Sequence, residues 1–251
     1  MRICAKLCVM LSVAAAASMA APARAIVPVS VGPSWDGPTY TLQNIVDANY
    51  GPGHIDVLND YIGAHPGDLD PWFWVDNQFS ALLIREIAGN ANRNTLGWYL
   101  ENGSLPVIDD IDDGVVFAGP ASDGATAIIH FDHPMTKFGF YLNPNGHLDA
   151  TNAPEPEKFY TNRLYNDRGP DGTGAIHAPF NGDVQALVFD VSRWTQPNTW
   201  LVCFEDLDSG PFPAPCCETD NDFNDLVFEV TAFGATPTTK LTFGAIKARY
   251  R

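Results

Sequence analysis

Eight carboxylates, Glu205, Asp206, Asp208, Glu218, Asp220, Asp222, Asp225 and Glu229, share the stretch between Arg193 and Lys240, which contains no lysine, arginine or histidine. Side chains of this kind repel one another at close range and low dielectric, and they offer a partner only oxygen. What they can do together is hold a hard divalent cation, calcium before magnesium. Asp220-x-Asp222-x-Asn224-Asp225 has the alternation of oxygen donors that lets a tight turn fold around one ion. It is not an EF-hand, because the loop glycine is missing and Thr231 stands where a bidentate glutamate is required. The aromatic Phe223 inside the motif points to a folded turn rather than a solvated acidic run.

The flanks of this stretch must position it. Trp200-Leu-Val-Cys-Phe204 and Leu226-Val-Phe-Glu-Val230 are β-branched and aromatic, so the acidic groups fall where two strands end and converge if those strands are neighbours. Further strands are expected at Ala81–Ile87, Leu96–Leu100, Val115–Phe117, Ala125–Phe131, Phe138–Leu142 and Ala186–Val191, each bounded by Gly, Pro, Asn or Asp. Leu42, Ile45 and Val46 at helical spacing, after a Thr41 cap and before Gly51, predict one short helix. The pattern is that of an all-β fold, an antiparallel β-sandwich or jelly roll with a short N-terminal helix. Residues 143–183 read as long surface loops.

Met1-Arg2, Lys6, the apolar run Leu7–Ala17 and the small residues ending Ala23-Arg24-Ala25 have the layout of a secretory signal peptide, so residues 1–25 are set apart from a single β domain at 26–251. The mature chain is expected to begin at Ile26, and an intact mass that retains Met1 in protein from the culture medium would contradict this. No later segment is long and apolar enough for a membrane span. Without Arg2, Lys6 and Arg24, 11 basic residues face 30 acidic ones, a net charge of about −19. Nucleic acid is a poor partner for such a surface, and so is an anionic membrane. Cys203, Cys216 and Cys217 remain after cleavage. In an oxidising compartment a disulfide from Cys203 to Cys216 or Cys217 is expected, with a bridge between the two adjacent cysteines as the less favourable geometry.

Phe204-Glu-Asp-Leu followed by Asp220-Asn-Asp-Phe-Asn-Asp-Leu-Val-Phe-Glu-Val230 is similar to the signature of domain of unknown function four-one-one-four, which occurs in exported bacterial proteins, some with a PEP-CTERM sorting tail. Leu83-Ile-Arg-Glu-Ile-Ala-Gly89, Asn94-Thr-Leu-Gly-Trp-Tyr99 and Phe138-Gly-Phe-Tyr-Leu142 resemble the same group, so the similarity spans most of residues 41–230. The resemblance implies an exported β domain that binds calcium through its acidic turn and has no established catalysis. Carried over by position, the ligands are Glu205, Asp206, Asp220, Asp222, Asn224 and Asp225. The insert Ser209–Thr219, with three prolines and two cysteines, departs from the short link usual there. The chain ends Thr242-Phe-Gly-Ala-Ile-Lys-Ala-Arg-Tyr-Arg251 without a Pro-Glu-Pro motif, so anchoring by that sorting route is not expected.

Other groupings have simpler readings. His130 and Asp132 share one strand face but lack a third ligand. Asp109-Asp-Ile-Asp-Asp-Gly114 and Asn166–Gly172 could hold secondary calcium ions, but they are equally good ordinary turns. Trp72, Phe73, Trp74, Trp98 and Tyr99 would make a sugar platform if exposed and a core if buried. Joined to Glu205 and Asp206 as an acid/base pair, they define the alternative to a calcium protein, a secreted carbohydrate-active enzyme or carbohydrate-binding module. Hydrolase, metalloprotease and phosphate-loop motifs are absent from the sequence. The expected partner is therefore extracellular, a carbohydrate or a surface matrix component.

Overall fold

Alternation of apolar and polar residues is clearest in Gln78–Glu86, where every second side chain from Phe79 to Leu83 is fully buried. In the computed structural model this segment is β2 and lies inside a five-stranded antiparallel sheet. The structure describes residues 31–34, 36–65, 71–88, 91–119, 121–132, 136–144, 158–166, 184–207 and 221–233. The expected signal peptide, Asp220, Cys216 and Cys217 lie outside the described residues.

The elements follow in the order α1 (Leu42–Tyr50), β1 (Phe73–Val75), β2 (Gln78–Glu86), β3 (Thr95–Leu100), β4 (Asp113–Phe117), β5 (Thr126–His130), β6 (Thr136–Asn143), β7 (Phe159–Tyr160), a 3-10 turn (Arg163–Tyr165), β8 (Ala186–Asp190), β9 (Thr199–Phe204) and β10 (Leu226–Phe233). One sheet has the order β1-β6-β3-β4, with β7 also paired to β6, and the other runs β5-β2-β10-β9-β8. All described pairings are antiparallel, so the protein is an all-β sandwich with one helix. All eight expected strands form. β1 and β7 were not expected; with three and two residues they carry too little alternation to be read, and both are defined by pairing to β6.

Between the sheets, Phe73, Phe79, Phe138, Phe140, Phe204 and Phe228 form one buried aromatic mass. Phe79 stacks on Phe138 at 4.9 Å between ring centroids, and Phe140 meets Phe228 edge to face at 5.0 Å, which ties the two sheets together. Each such side chain contributes about 1.5–3 kcal/mol by leaving water. A second core lies on the other face of β8, β9 and β10, where α1 packs through Leu42, Ile45, Val46 and Tyr50. Burial on both faces explains why β9 reads as an unbroken apolar run. The helix starts as expected, with Thr41 Oγ1 accepting from Asn44 N at 3.3 Å, and Gly51, at φ 97°, closes it through its N–H to Asp47 O. On the outer face of the smaller sheet Tyr99, Tyr141, Tyr160 and Tyr165 cluster, and the Tyr141 ring lies so close over Gly97 that no Cβ fits there.

The expected disulfide at Cys203 is corrected by the structure. Cys203 is a free thiol, fully buried among Leu187, Leu201 and Val227 under α1, and that burial pushes its pKa well up. Strand alternation turns it into the helix-side core. Labelling with a thiol reagent followed by peptide mapping is expected to leave Cys203 unmodified in the native protein and to modify it fully in denaturant; native modification would contradict this burial.

Candidate metal centre

The end of the larger sheet gathers the acidic groups. Leu226 pairs with both Phe204 and Glu86, so β9 finishes, β10 begins and β2 finishes in one cross-strand row. Glu205 and Asp206 follow β9 directly, and Asp222 and Asp225 precede β10. Carboxylate oxygens of Glu205, Asp222 and Asp225 lie within 4.8 Å of one another, and the three residues are only 1%, 2% and 8% exposed. Two unit charges at that separation repel by about 3–4 kcal/mol at an effective dielectric near 20.

The turn is folded tightly enough to enforce this convergence. Asn221 and Phe223 both take left-handed backbone conformations, at φ 54° and 53°. A phenylalanine pays steric strain there. Its fully buried ring in the helix-side core offsets that strain and fixes which way the turn faces. Asp222 Oδ1 accepts from Asn224 N at 3.2 Å, Glu205 Oε2 accepts from Phe223 N at 3.5 Å, and Asp225 Oδ2 accepts from Asp206 N at 2.7 Å. The same turn holds the chain that leads to α1. Asn221 O accepts from Gly32 N at 2.8 Å, and Asn224 Nδ2 donates to Ser34 Oγ and to Tyr40 O at 2.9 and 2.7 Å.

Asp225 is held well above the ordinary carboxylate range, first by burial and then by the charges of Asp206, Glu205 and Asp222; the Asp206 N–H pulls the other way. Asn224 Oδ1 is buried and has no donor. A buried acceptor without a donor beside converging carboxylates fits a hard cation, and the donors present are all oxygen. Glu205, Asp222 and Asp225 are the residues that could hold it, with the Asn224 carbonyl beside them.

Of the six expected ligands, the structure brings Glu205, Asp222 and Asp225 to one point and places Asn224 in the same turn. Asp206 donates its N–H to Asp225, and its Oδ2 accepts from Asn94 Nδ2 at 3.2 Å. Asp220 is not among the described residues. Two polar residues of this region escaped the sequence reading. Glu86, half-buried at the end of β2, is pushed up to about 8 by burial, with Asp123 and Asp206 adding to the shift and Asn94 opposing it. Asn94, 2% exposed, precedes β3 in the opposite sheet. Only the pairing of β2 with β10 brings Glu86 to this end, so its place in the sequence gives no signal.

The other groupings fall elsewhere. In the Asp109–Asp113 loop Asp113 Oδ2 accepts from the N–H groups of Asp109 and Asp110, the bonding of an ordinary turn. Asn166 bonds both backbone groups of Tyr160, and most of the expected loop after it lies outside the described residues. His130 and Asp132 gather no third ligand among the described residues. Phe73 and Tyr99 are 1% exposed, Trp98 packs edge to face on Phe131, and Lys137 Nζ lies 3.5 Å over the Trp72 ring. Trp74 pairs with Lys137, whereas Thr95, next to Asn94, pairs with Asn143. Six residues of β6 thus separate the aromatic end from the acidic end, about 20 Å at strand rise.

Fold and site together define an antiparallel β-sandwich with a buried three-carboxylate centre where one sheet ends. Residues 133–232, which run from β6 almost to the end of β10 and hold all three carboxylates, match the family model described as domain of unknown function (DUF4114). The match is narrower than residues 41–230, and α1, Glu86 and Asn94 lie ahead of it. No curated protein and no solved structure matches the chain.

Proposed function

We propose that this is an exported calcium-binding protein in which the ion is structural, and that the sandwich serves as a non-catalytic surface, matrix or binding component. The observation that carries the reading is the approach of Glu205, Asp222 and Asp225 within 4.8 Å, all buried, from two separate segments. Calcium suits such a set better than magnesium, which keeps its waters and demands near-octahedral geometry. An ion there would cross-link the end of β9 to the start of β10. Because Asn221 and Asn224 also hold residues 32, 34 and 40, it would fix the attachment of the chain that leads into α1.

The secreted carbohydrate-active enzyme is the competing reading. Glycosidase carboxylates stand roughly 5–9.5 Å apart around a sugar and a water. The three acidic groups here are closer, are buried, and lie at the far end of the sandwich from Trp72 and Trp74, which supports the calcium reading instead. Export rests on the N-terminal sequence alone. Elemental analysis of protein purified from calcium-containing medium tests the proposal: at least one tightly held calcium per chain is expected, and a calcium-free protein would overturn it.

A further inference from the structure

Helix α1 packs on the outer faces of β8, β9 and β10 but covers β2 only in part, and a groove of about 330 Å³ lies between the helix and that strand. Its floor is Ile84, which points away from the inter-sheet core and is half-buried. Ile45 and Ala48 form the helix wall, and the ring of Tyr40, 42% exposed, adds an aromatic surface. The polar groups among these apolar ones are the neutral side chains of Thr39, Asn44 and Asn49. The one charge is Arg85, whose Nη1 is held by Asp123 Oδ2 at 2.8 Å.

The two amides are oriented in advance. Asn44 Nδ2 donates to Pro38 O at 2.6 Å and Asn49 Nδ2 donates to Ile45 O at 2.7 Å, so both nitrogens are anchored to the backbone. Each amide carbonyl points the other way, and no described group donates to it. A ligand that satisfies them must bring hydrogen-bond donors, and a phosphate or carboxylate brings none. The strongly acidic chain also repels an anion, while Arg85 in the groove disfavours an ammonium group. What remains is a donor hydroxyl on a molecule with apolar faces for Tyr40 and Ile84, which describes a sugar ring.

We propose that the groove between α1 and β2 binds a neutral oligosaccharide, one ring stacked on Tyr40 and its hydroxyls donating to Asn44 and Asn49. The volume is at the small end of the range for ligand pockets, roughly one or two sugar rings. No carboxylate lines the groove, so the site binds without cleaving. It is also tied to the candidate metal centre, because Asn224 Nδ2 donates to Tyr40 O at 2.7 Å. An ordered 221–225 turn therefore holds Tyr40 in place; this coupling, unlike the groove itself, rests on the calcium reading.

Calorimetric titration of the full chain with cellohexaose, maltohexaose, xylohexaose and mannohexaose tests it, in calcium and in chelator, using the parent, Tyr40→Ala, Asn49→Ala and Trp72→Ala. At least one of these sugars is expected to bind the parent with a Kd of about 1 mM or tighter. Tyr40→Ala and Asn49→Ala are expected to weaken it at least tenfold and Trp72→Ala to leave it unchanged. Both groove variants are expected to melt with the parent, since position 40 keeps its backbone carbonyl and alanine favours the helix at 49. Binding of none of the four sugars, or binding that survives Tyr40→Ala and is lost in Trp72→Ala, would overturn the site. Weaker binding in chelator is expected from the coupling; equal binding in calcium and chelator would overturn the coupling and leave the groove standing.

Discussion

Chelating calcium is expected to lower the melting temperature of the protein, and Asp222→Ala is expected to lower it in calcium and to shrink the response to chelator. An ion that binds only the folded chain stabilises by RT ln(1 + [L]/Kd), about 2.7 kcal/mol at a hundredfold excess over Kd. For a domain of this size that is a shift of about 5–10 °C. Asp222 is the residue to remove because it sits inside the turn, 2% exposed, with its Oδ1 already ordering Asn224. Asp132→Ala, an exposed position away from the centre, is expected to leave the melt unchanged. The sign separates the two readings of the cluster. If the carboxylates simply repel, deleting one relieves strain and raises stability; if they hold an ion, deleting one lowers it. Because the turn also binds residues 32, 34 and 40, chelation is further expected to speed amide exchange in α1.

The second large effect is a reversal in the dependence of stability on pH. Asp225 and Glu86 are both held above their ordinary values, chiefly by burial. A carboxyl raised in the fold stabilises when protonated. Its contribution is complete below the unfolded value near ~4 and is lost as pH rises through the folded value, which for Glu86 is about 8. The metal-free protein is therefore expected to grow more stable as pH falls from about 8.5 to 5. Glu86 is only half-buried, so screening reduces its share, and the expected gain is about 1–2 kcal/mol. With saturating calcium the slope inverts, because protons then compete with the ion for the same oxygens. Thermal melts across this range, with calcium and with chelator, read both slopes. Parallel slopes would contradict the account.

Most of the fold is legible in the chain because its strands are bounded by turn residues and alternate, as in Phe79, Ala81 and Leu83. β1 was hidden because Phe73 looks like one more member of an aromatic loop until Phe138 is set opposite it. The centre is legible for a different reason. Glu205, Asp222 and Asp225 stand in a stretch without basic residues, and Phe223 marks its turn as folded. What could not be read is how Asp206 divides its two ends, since its carboxylate meets Asn94 112 residues away. Glu86 escaped for the same reason, being brought to the site only by the pairing of β2 with β10. The pairing of Cys203 was misread because compartment chemistry was applied to a residue whose neighbours, Leu201 and Val227, already placed it in a core. In an apolar interior a cysteine packs as a small hydrophobe.

The central claim is that an ion sits among Glu205, Asp222 and Asp225. A crystal grown with calcium, with diffraction measured at a long wavelength, tests it most directly. The account predicts an anomalous-difference peak about 2.3–2.6 Å from an oxygen of each of the three carboxylates. An ordered lysine or arginine side chain in that position, or three carboxylates separated by water alone, would contradict it.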